Sequence, residues 1–270
     1  MLVTAACLVL FIDTAWTDML LNKSGKLRTL PTNCVDAVRS AGSAAKSGIY
    51  QIQLPLGNWT HRHFYVYCLL DGNGGDPWLL MQRRQDGEID FFRDWHDYKT
   101  GFGNIARSFW MGFDKLHAIT QMQLHELQIE LHDFNDTVKY ANYETFAVGN
   151  EIEKYTLKIL GKYSGSAGDG KIFYNSGKKF TTHDVDNDGY SWNCAVKYRG
   201  GWWYDNCHHS CLNGDYLNYN NKLEGKGIIW STWQGVYYSM KYAHMAIRPK
   251  DSVEMRKNEA HKCKKRTKKG

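Results

Sequence analysis

The 270-residue sequence lacks a long hydrophobic segment. A helix that crosses a membrane needs about 20 predominantly apolar residues, and no stretch of this chain approaches that length without interruption. A shorter apolar run, from Leu2 to Ile12, suits the hydrophobic region of a secretory signal. We predict a signal peptide over 1–17 and a short N-terminal segment over 18–30. The alternative for the run is a buried N-terminal strand.

Catalytic motifs are also missing. The sequence has no H-E-x-x-H, G-x-S-x-G or P-loop pattern. GFGNIA at 101–106 satisfies G-x-G-x-x-A, but the preceding DWHDYKT is not a buried strand, so a dinucleotide site lacks its context. The histidines of the first half are explained by a strand surface or a helix face: His96, His117, His125 and His132. We predict that the chain is not an enzyme.

Repeats, heptads and Gly-x-y tracts are absent as well, which excludes a coiled coil and a collagen stalk. What the chain does have is 43% hydrophobic and 14% aromatic residues, enough to bury a sizeable core in one or two domains.

The local patterns predict an α+β fold with more strand than helix. TNCVDAVRSAG is typical of a short helix that begins after Thr32 or Asn33 and stops at Gly42. HFYVYCLL, WLLMQRR and the alternating HELQIELHDF predict strands, and NYETFAVGN with EKYTLKIL predicts an antiparallel pair. NIARSFWMGFDKLHAIT has a helical apolar spacing and is predicted as the longest helix. From Gly161 to Gly235 periodicity largely vanishes, and a loop region of this length is usually functional.

The cysteines and sequons are typical of a secreted glycoprotein. N-x-S/T acceptors occur at Asn22, Asn58 and Asn135. After removal of Cys7 with the signal, an even six cysteines remain, which favours disulfides in an oxidising compartment. The alternative is a zinc site in Cys207-His208-His209-Ser210-Cys211, but these ligands are too close together and no second pair lies a dozen residues away.

Three aspartates within five residues mark the loop region: Asp184, Asp186 and Asp188, followed by Gly189. An EF-hand is excluded because its twelfth position would be Ala195 instead of glutamate. Carboxylates at this spacing on an irregular loop still favour one calcium ion, with backbone carbonyls completing the shell. The alternative is a solvated acidic turn that binds no ion.

Downstream, aromatic residues with polar tips predict a carbohydrate or small-ligand pocket. These residues are Tyr198, Trp202, Trp203, Tyr204 and His208. Core packing is the alternative, and we favour it for Trp202 and Trp203.

Five segments, in this order, resemble a fibrinogen C-terminal domain: NCVDAVRSAGSAAKSGIYQI, FYVYCLLDGNGGDPWLLMQRRQDGEIDFFRDWHDYKTGFG, FTTHDVDNDGYSWNCA, GGWWYDNCHHSCLNG and GIIWSTWQGVYYSMKYAHMAIRP. The resemblance covers 31–249. It implies a mainly antiparallel sheet, short helices and a long loop-rich subdomain that binds calcium and ligand. Within the family the chain is similar to the ficolins and tachylectins, and also to fibrinogen chains, tenascins and angiopoietins.

The resemblance also implies particular contacts. The disulfides would be Cys34–Cys68 and Cys194–Cys207. Calcium would be bound by the carboxylates of Asp186 and Asp188 and the carbonyls of Tyr190 and Trp192, with Asp184 nearby. Acetyl groups would bind against a cis peptide at Asn206–Cys207, beside Tyr198 and His208.

Departures from the family pattern concern the pocket wall. Glu224 and Val236 stand where acetyl-binding members have aromatic residues, with Tyr237 or Tyr219 as substitutes if the loop shifts. Glu224 introduces the alternative of an amino-bearing ligand. Gly225 stands where fibrinogen has an acidic residue for a peptide amine, which argues against knob-type polymerisation.

The last part of the chain is basic. Residues 250–270 contain nine Lys/Arg and three Asp/Glu, so the rest of the chain is balanced at 25 against 25. We predict a disordered segment, with attachment to sulphated glycans as its functional interpretation. Cys211 and Cys263 are outside the implied disulfides and are expected to pair with each other or with another chain, which would support a homo-oligomer.

These observations predict a secreted, calcium-binding lectin for acetylated glycans or microbial surface carbohydrate, with a role in innate immunity and no nucleic-acid partner. The alternative is a receptor-binding or extracellular-matrix ligand of the angiopoietin or tenascin type.

Overall fold

The computed structural model describes residues 30–60, 62–218 and 223–250. The predicted signal peptide, the Asn22 sequon, Tyr219, Cys263 and the basic segment from 251 onward lie outside the described residues. Within the described residues, no helix is long and apolar enough to cross a membrane.

The elements in chain order are α1 (Cys34–Ala41), β1 (Gly48–Gln53), β2 (His63–Leu69), β3 (Trp78–Arg84), α2 (Trp95–Thr100), β4 (Phe102–Gly103), β5 (Phe109–Trp110), α3 (Phe113–Met122), β6 (His125–His132), β7 (Val138–Val148), β8 (Leu157–Leu160), β9 (Tyr163–Gly165), α4 (Cys194–Tyr198), β10 (Ser210–Cys211), β11 (Ile229–Trp230), α5 (Ser231–Gln234) and β12 (Tyr242–Pro249).

Ten of the described strands form one antiparallel sheet, with β1-β2-β3-β12-β6-β7-β8 as its main order. The short strands β4 and β5 extend from β3, and β9 pairs with β7. The last strand, β12, lies in the middle of the sheet between β3 and β6. The predicted α+β class with a mainly antiparallel sheet and short helices is confirmed.

The sheet buries one face of β6 and leaves the other half-exposed. Leu127, Ile129 and Leu131 are fully buried, whereas Gln128 and Glu130 between them are half-buried. Helix α3 packs against the neighbouring strand β7. The alternation in the sequence therefore predicted this strand and its face correctly.

Two helical predictions had different outcomes. The short helix α1 is present, with the Asn33 side chain accepting the Asp36 N–H at 2.9 Å and Gly42 at φ 59° after the last turn. The long helix predicted over 104–120 is wrong in its first half, because Phe109 and Trp110 form β5.

Gly112 explains where the chain changes from strand to helix. Its φ is 96°, in the left-handed region, and a Cβ there would lie 2.5 Å from the Thr100 carbonyl carbon. The apolar residues of β5 and α3, on either side of this glycine, happen to follow the spacing of a single helix in the sequence. The pattern therefore predicted one long helix.

The buried guanidinium of Arg84 joins the sheet to the loop-rich part of the chain. It donates to the carbonyls of Leu212 at 2.9 Å and Gly214 at 2.7 Å, and lies 3.8 Å from the centroid of Phe91. Burial lowers the pKa of Arg84 to about 10, so it stays charged at neutral pH. The loop after β10 is therefore fixed against β3 by charge-assisted hydrogen bonds.

Candidate functional site

Two disulfides hold the described part of the chain, and both match the implied pairing. Cys34–Cys68 joins α1 to β2, and Cys194–Cys207 joins the start of α4 to the loop before β10. Since Cys207 is in a disulfide, it has no thiolate for zinc. The described residues contain no group of three or more His, Cys, Asp or Glu side chains arranged to bind a metal ion.

The prediction that Cys211 pairs with Cys263 or with another chain is wrong. Its thiol is free and fully buried in β10, with Sγ 3.6 Å from the Tyr204 hydroxyl. Burial raises the pKa of the Cys211 thiol to about 11. A side chain inside the core has no route to a partner cysteine while the domain is folded, so Cys211 behaves as a small apolar residue.

The acidic loop brings Asp186 and Asp188 together. Asp188 Oδ1 accepts the N–H of Tyr190 at 2.9 Å, Oδ2 accepts the N–H of Cys194 at 2.9 Å, and Asp186 Oδ1 accepts the N–H of Asp188 at 3.2 Å. Burial raises the pKa of Asp188, backbone hydrogen bonds oppose this, and the nearby Asp186 carboxylate raises it further. Two adjacent carboxylates, one of them partly buried, form a site of concentrated negative charge.

Asp184 has a different position. Its Oδ1 accepts the backbone N–H of Trp95 at 3.0 Å and the hydroxyl of Thr182 at 2.7 Å. This carboxylate holds the start of α2 against the loop, and its place near a bound calcium ion stays a prediction.

The donor set of the loop fits a hard cation. Within the described residues, no hydrogen bond to the carbonyls of Tyr190 and Trp192 is found, so both oxygens have capacity left for a cation. Two carboxylates with two carbonyl oxygens are the ligand chemistry that calcium prefers. Bound there, the ion would neutralise the repulsion between the two carboxylates.

A second cluster lies beside the acidic loop. The peptide bond between Asn206 and Cys207 is cis, as the resemblance implied. The rings of Tyr198 and His208 meet edge to face with centroids 4.5 Å apart. The structure therefore brings together the peptide, the tyrosine and the histidine that were predicted to contact ligand.

Gly225 closes one side of this cluster. It has φ 71°, and a Cβ there would lie 2.7 Å from the Tyr198 ring and 3.2 Å from His208 Nε2. Its N–H donates to the carbonyl of Val236 at 2.8 Å, which places Val236 next to the cluster. This close approach leaves no space for a larger side chain at position 225.

Glu224 and Tyr237 stand together at the edge. The Glu224 carboxylate is hydrogen-bonded to the Tyr237 hydroxyl, and its charge raises the pKa of that phenol. Both side chains are exposed. The predicted wall residue Glu224 is therefore hydrogen-bonded to Tyr237, the aromatic residue named above as a possible substitute in the pocket wall.

The imidazole of His208 is the least satisfied polar group here. Both ring nitrogens are buried, and neither makes a hydrogen bond of standard geometry to the described residues, although the Gly225 backbone lies close enough to raise the pKa of the ring against the effect of burial. Burial lowers the pKa of His208 to about 4, so the ring is neutral at physiological pH and has one donor and one acceptor nitrogen. Buried polar groups are normally paired, so this ring has unused hydrogen-bonding capacity.

The predicted aromatic wall is only partly present. Trp202, Trp203 and Tyr204 are fully buried, and Trp203 Nε1 donates to the carbonyl of Tyr155 at 2.7 Å. The interpretation of Trp202 and Trp203 as core residues is therefore confirmed, and Tyr204 is also a core residue.

A cleft on the other side of His208 was missed in the sequence. It has a volume of about 90 Å³ and is lined by Tyr174, Asn175, Asp205, Asn206, Cys207, His208 and His209. The ring of Tyr174 is 64% exposed and stands 6.2 Å from that of His209. Tyr174 is about thirty positions from His208 in sequence, and no local pattern marks it as a neighbour.

The sheet and the loop-rich site define a fibrinogen-type globular domain. Residues 30–250 match the family described as fibrinogen beta and gamma chains, C-terminal globular domain. This chain belongs to that family.

Several curated relatives show the same similarity. The chain is 44% identical to Ryncolin-4 of Cerberus rynchops over 69% of its length, and 41% identical to fibrinogen C domain-containing protein 1 of Mus musculus over 80%. It is 38% identical to tenascin-R of Mus musculus over 86%. The matched parts are 54%, 46% and 16% of those proteins, so the chain spans about half or less of these relatives.

Solved structures agree with the fold. The fibrinogen-like globe domain of human ANGPTL2 superposes with a TM-score of 0.76 at 36% identity, covering 82% of this chain and 99% of that one. A lamprey fibrin D-dimer complexed with the peptide Gly-His-Arg-Pro-amide gives a TM-score of 0.72 at 33% identity, covering 82% and 74%.

Proposed function

We propose that the protein is a secreted, calcium-binding, non-enzymatic lectin that recognises acetylated glycans, as in innate immune recognition of microbial surface carbohydrate. The observation that supports this proposal is the neutral His208 ring beside Tyr198 and the cis peptide, whose nitrogens make no hydrogen bond of standard geometry to the described residues. An N-acetyl group has a carbonyl oxygen that accepts a hydrogen bond and a methyl group that packs on an aromatic face. His208 or the Asn206–Cys207 peptide would supply the donor and Tyr198 the face.

Calcium would act through the position of the pocket. Asp186, Asp188 and the carbonyls of Tyr190 and Trp192 would hold the ion. The Asp205 carbonyl accepts the N–H of Gly189 from this loop at 3.1 Å, and Asp205 directly precedes the Asn206–Cys207 peptide. A calcium ion that orders the acidic loop would therefore also fix the cis peptide, through the hydrogen bond from Gly189 to Asp205.

Avidity would supply the binding strength. A single shallow acetyl contact is weak, and several linked copies raise the effective affinity without any new contact. A homo-oligomer would provide those copies, and the basic segment 250–270 would add attraction to sulphated glycans. The sequons support passage through the secretory pathway, and the side chains of Asn58 and Asn135 are both exposed.

A receptor-binding or matrix role is the second candidate, and one observation favours it. Several large apolar or aromatic side chains are exposed on the segments that carry the pocket residues: Tyr190, Trp192, Val196, Leu223 and Tyr237. Such clusters often mark protein contacts. The relatives include tenascin-R and a structural neighbour is an ANGPTL2 globe domain, so a protein ligand at the same surface is the rival hypothesis.

A glycan array run with calcium and then with chelator separates the two. The lectin proposal expects signals on acetylated glycans that disappear when calcium is removed. An array without any acetyl-dependent signal, together with tight calcium-dependent binding to a protein receptor, would support the rival. Detection of the protein in culture medium with mobility that shifts after enzymatic deglycosylation checks secretion and the sequons.

A further inference from the structure

A groove lies on the half-exposed face of the sheet, away from the acidic loop and the pocket. Its volume is about 860 Å³. Strands β6 and β7 supply much of its floor through Glu126, Glu130, Tyr140 and Glu144, and the turn after β2 supplies Asp71. These positions alternate with the buried residues of the same strands, so the groove is the polar face of the sheet.

The lining is strongly acidic. It contains the carboxylates of Asp71, Glu126, Glu130 and Glu144 and one guanidinium, that of Arg248, a net charge of four minus one, or −3. Arg248 lies 3.1 Å from Asp71 and 2.9 Å from Glu126, so these two carboxylates share the cation.

Glu130 and Glu144 are not neutralised in this way. Glu130 contacts His132 Nε2 at 2.6 Å and the hydroxyl of Tyr140, neither of which is a permanent cation. Glu144 is exposed and takes part in no ion pair within the residues that the structure describes. Like charges held on one surface repel each other, so a cationic occupant would be stabilised there.

The chain itself supplies a basic segment at the edge of the groove. Strand β12 ends at Pro249, and the N–H of Lys250 donates to the carbonyl of Leu124 at 2.9 Å. Arg248 pairs with Glu126 in register, and the two-residue period of a strand places Lys250 on the same face. The segment that follows Lys250 is therefore attached at the edge of the groove.

The charge of that segment is opposite to that of the groove. Residues 251–270 contain eight Lys/Arg and three Asp/Glu, and the final ten contain six Lys/Arg and no acid. Twenty extended residues reach up to about 66 Å, whereas Glu126 to Glu130 is only about 13 Å along the strand. A covalently attached segment also has an effective concentration in about the millimolar range, so weak ion pairs suffice.

We propose that residues 251–270 dock in this groove of the same chain, with lysine and arginine side chains neutralising Glu130 and Glu144. The bound segment would cover the polar sheet face. The groove and a sulphated glycan would then compete for the same lysine and arginine side chains.

Carbodiimide coupling of the full-length protein tests the contact, because it joins a lysine amine to a carboxylate only when the two touch. We expect links from Lys262, Lys264, Lys265, Lys268 or Lys269 to Glu130 or Glu144 in the monomer band. The yield should fall at least fivefold in Glu130→Gln/Glu144→Gln and in about 1 M salt, where the Debye length is about 3 Å. The matched control is Glu88→Gln, an exposed acid outside the groove, which should leave the yield unchanged.

Carboxyl labelling with glycinamide gives an independent measurement. If the double variant fails to fold, the coupling experiment is repeated with Glu144→Gln alone, because Glu144 is exposed. Glu144 should be protected in the parent and labelled several-fold more after the five lysines are replaced by glutamine. Equal labelling would mean that the groove is open to an outside cation and would overturn the proposal. Links found only in a covalent dimer would make a second copy the occupant and would also overturn it, as would coupling spread evenly over exposed acids.

Discussion

The carboxylate of Asp188 accepts the backbone N–H of Cys194 at 2.9 Å, and Cys194 is bonded through sulfur to Cys207. Cys207 belongs to the cis peptide of the pocket. One carboxylate of the acidic loop is therefore connected to the proposed ligand pocket by a single hydrogen bond and a single disulfide, so we expect changes at the loop to alter the pocket.

Removal of a calcium ligand should abolish the stabilisation that calcium gives. If Asp186 and Asp188 hold the ion, the melting temperature of Asp186→Ala in calcium should equal that of the chelated parent, because an ion stabilises only the state that binds it. Thermal scans with calcium and with chelator measure this. Asp184→Asn is the matched control: its amide oxygen can still accept from Trp95 and Thr182 while the charge is removed, and the variant should still show a shift on chelation. A parent protein whose melting temperature ignores chelator would contradict the calcium assignment.

The thiols should differ in accessibility. Non-reducing peptide mapping should recover Cys34–Cys68 and Cys194–Cys207, and iodoacetamide should modify Cys211 only after unfolding, because its thiol is buried with a pKa of about 11. Any covalent dimer should disappear in Cys263→Ser. Rapid labelling of Cys211 in the native protein, or a Cys207–Cys211 link, would show that the loop is arranged differently.

Protonation of the buried His244 should lower the free energy of unfolding as the pH falls. Burial lowers its folded-state pKa to about 4, below the unfolded value near 6.5. Between these values the unfolded chain binds more protons, so the free energy of unfolding should rise with pH by up to about 1.4 kcal/mol per unit. Urea unfolding of His244→Gln should show a flatter pH slope over this window, with the exposed His96→Gln as control. An identical slope in parent and His244→Gln would refute this role.

The basic segment should give salt-sensitive attraction to sulphated polymers. Replacing Lys264, Lys265, Lys268 and Lys269 with glutamine should move elution from a heparin column to much lower salt, since all the net positive charge of the chain lies in 250–270. Asp186→Ala should elute with the parent. Equal elution of the lysine variant and the parent would place the heparin contact elsewhere.

The sequence predicted those parts of the fold and site that depend on local pattern or on family motifs. Alternation placed Leu127, Ile129 and Leu131 in the core, and the motif around Cys194 and Cys207 gave the disulfide and the cis peptide. The features it missed depend on contacts between distant segments, because neither periodicity nor composition encodes them.

Two residues illustrate that limit. Cys211 is buried because β10 pairs with β11, whose residues lie eighteen positions further along the chain. Tyr174 lines the cleft of His208 only after the loops fold together. Gly112 misled the helix prediction for a related reason, since its left-handed φ is required by the close backbone of Thr100.

Competition for an acetylated surface is the sharpest test of acetyl recognition by the pocket. The protein is bound to immobilised acetylated glycan in calcium, and free N-acetylglucosamine or glucosamine is added. If the pocket recognises acetyl groups, only the acetylated sugar should compete, and His208→Ala, still folded by circular dichroism, should lose most of the binding. Stronger competition by glucosamine would mean that Glu224 selects an amine, and failure of both sugars beside a tight protein receptor would contradict the lectin function.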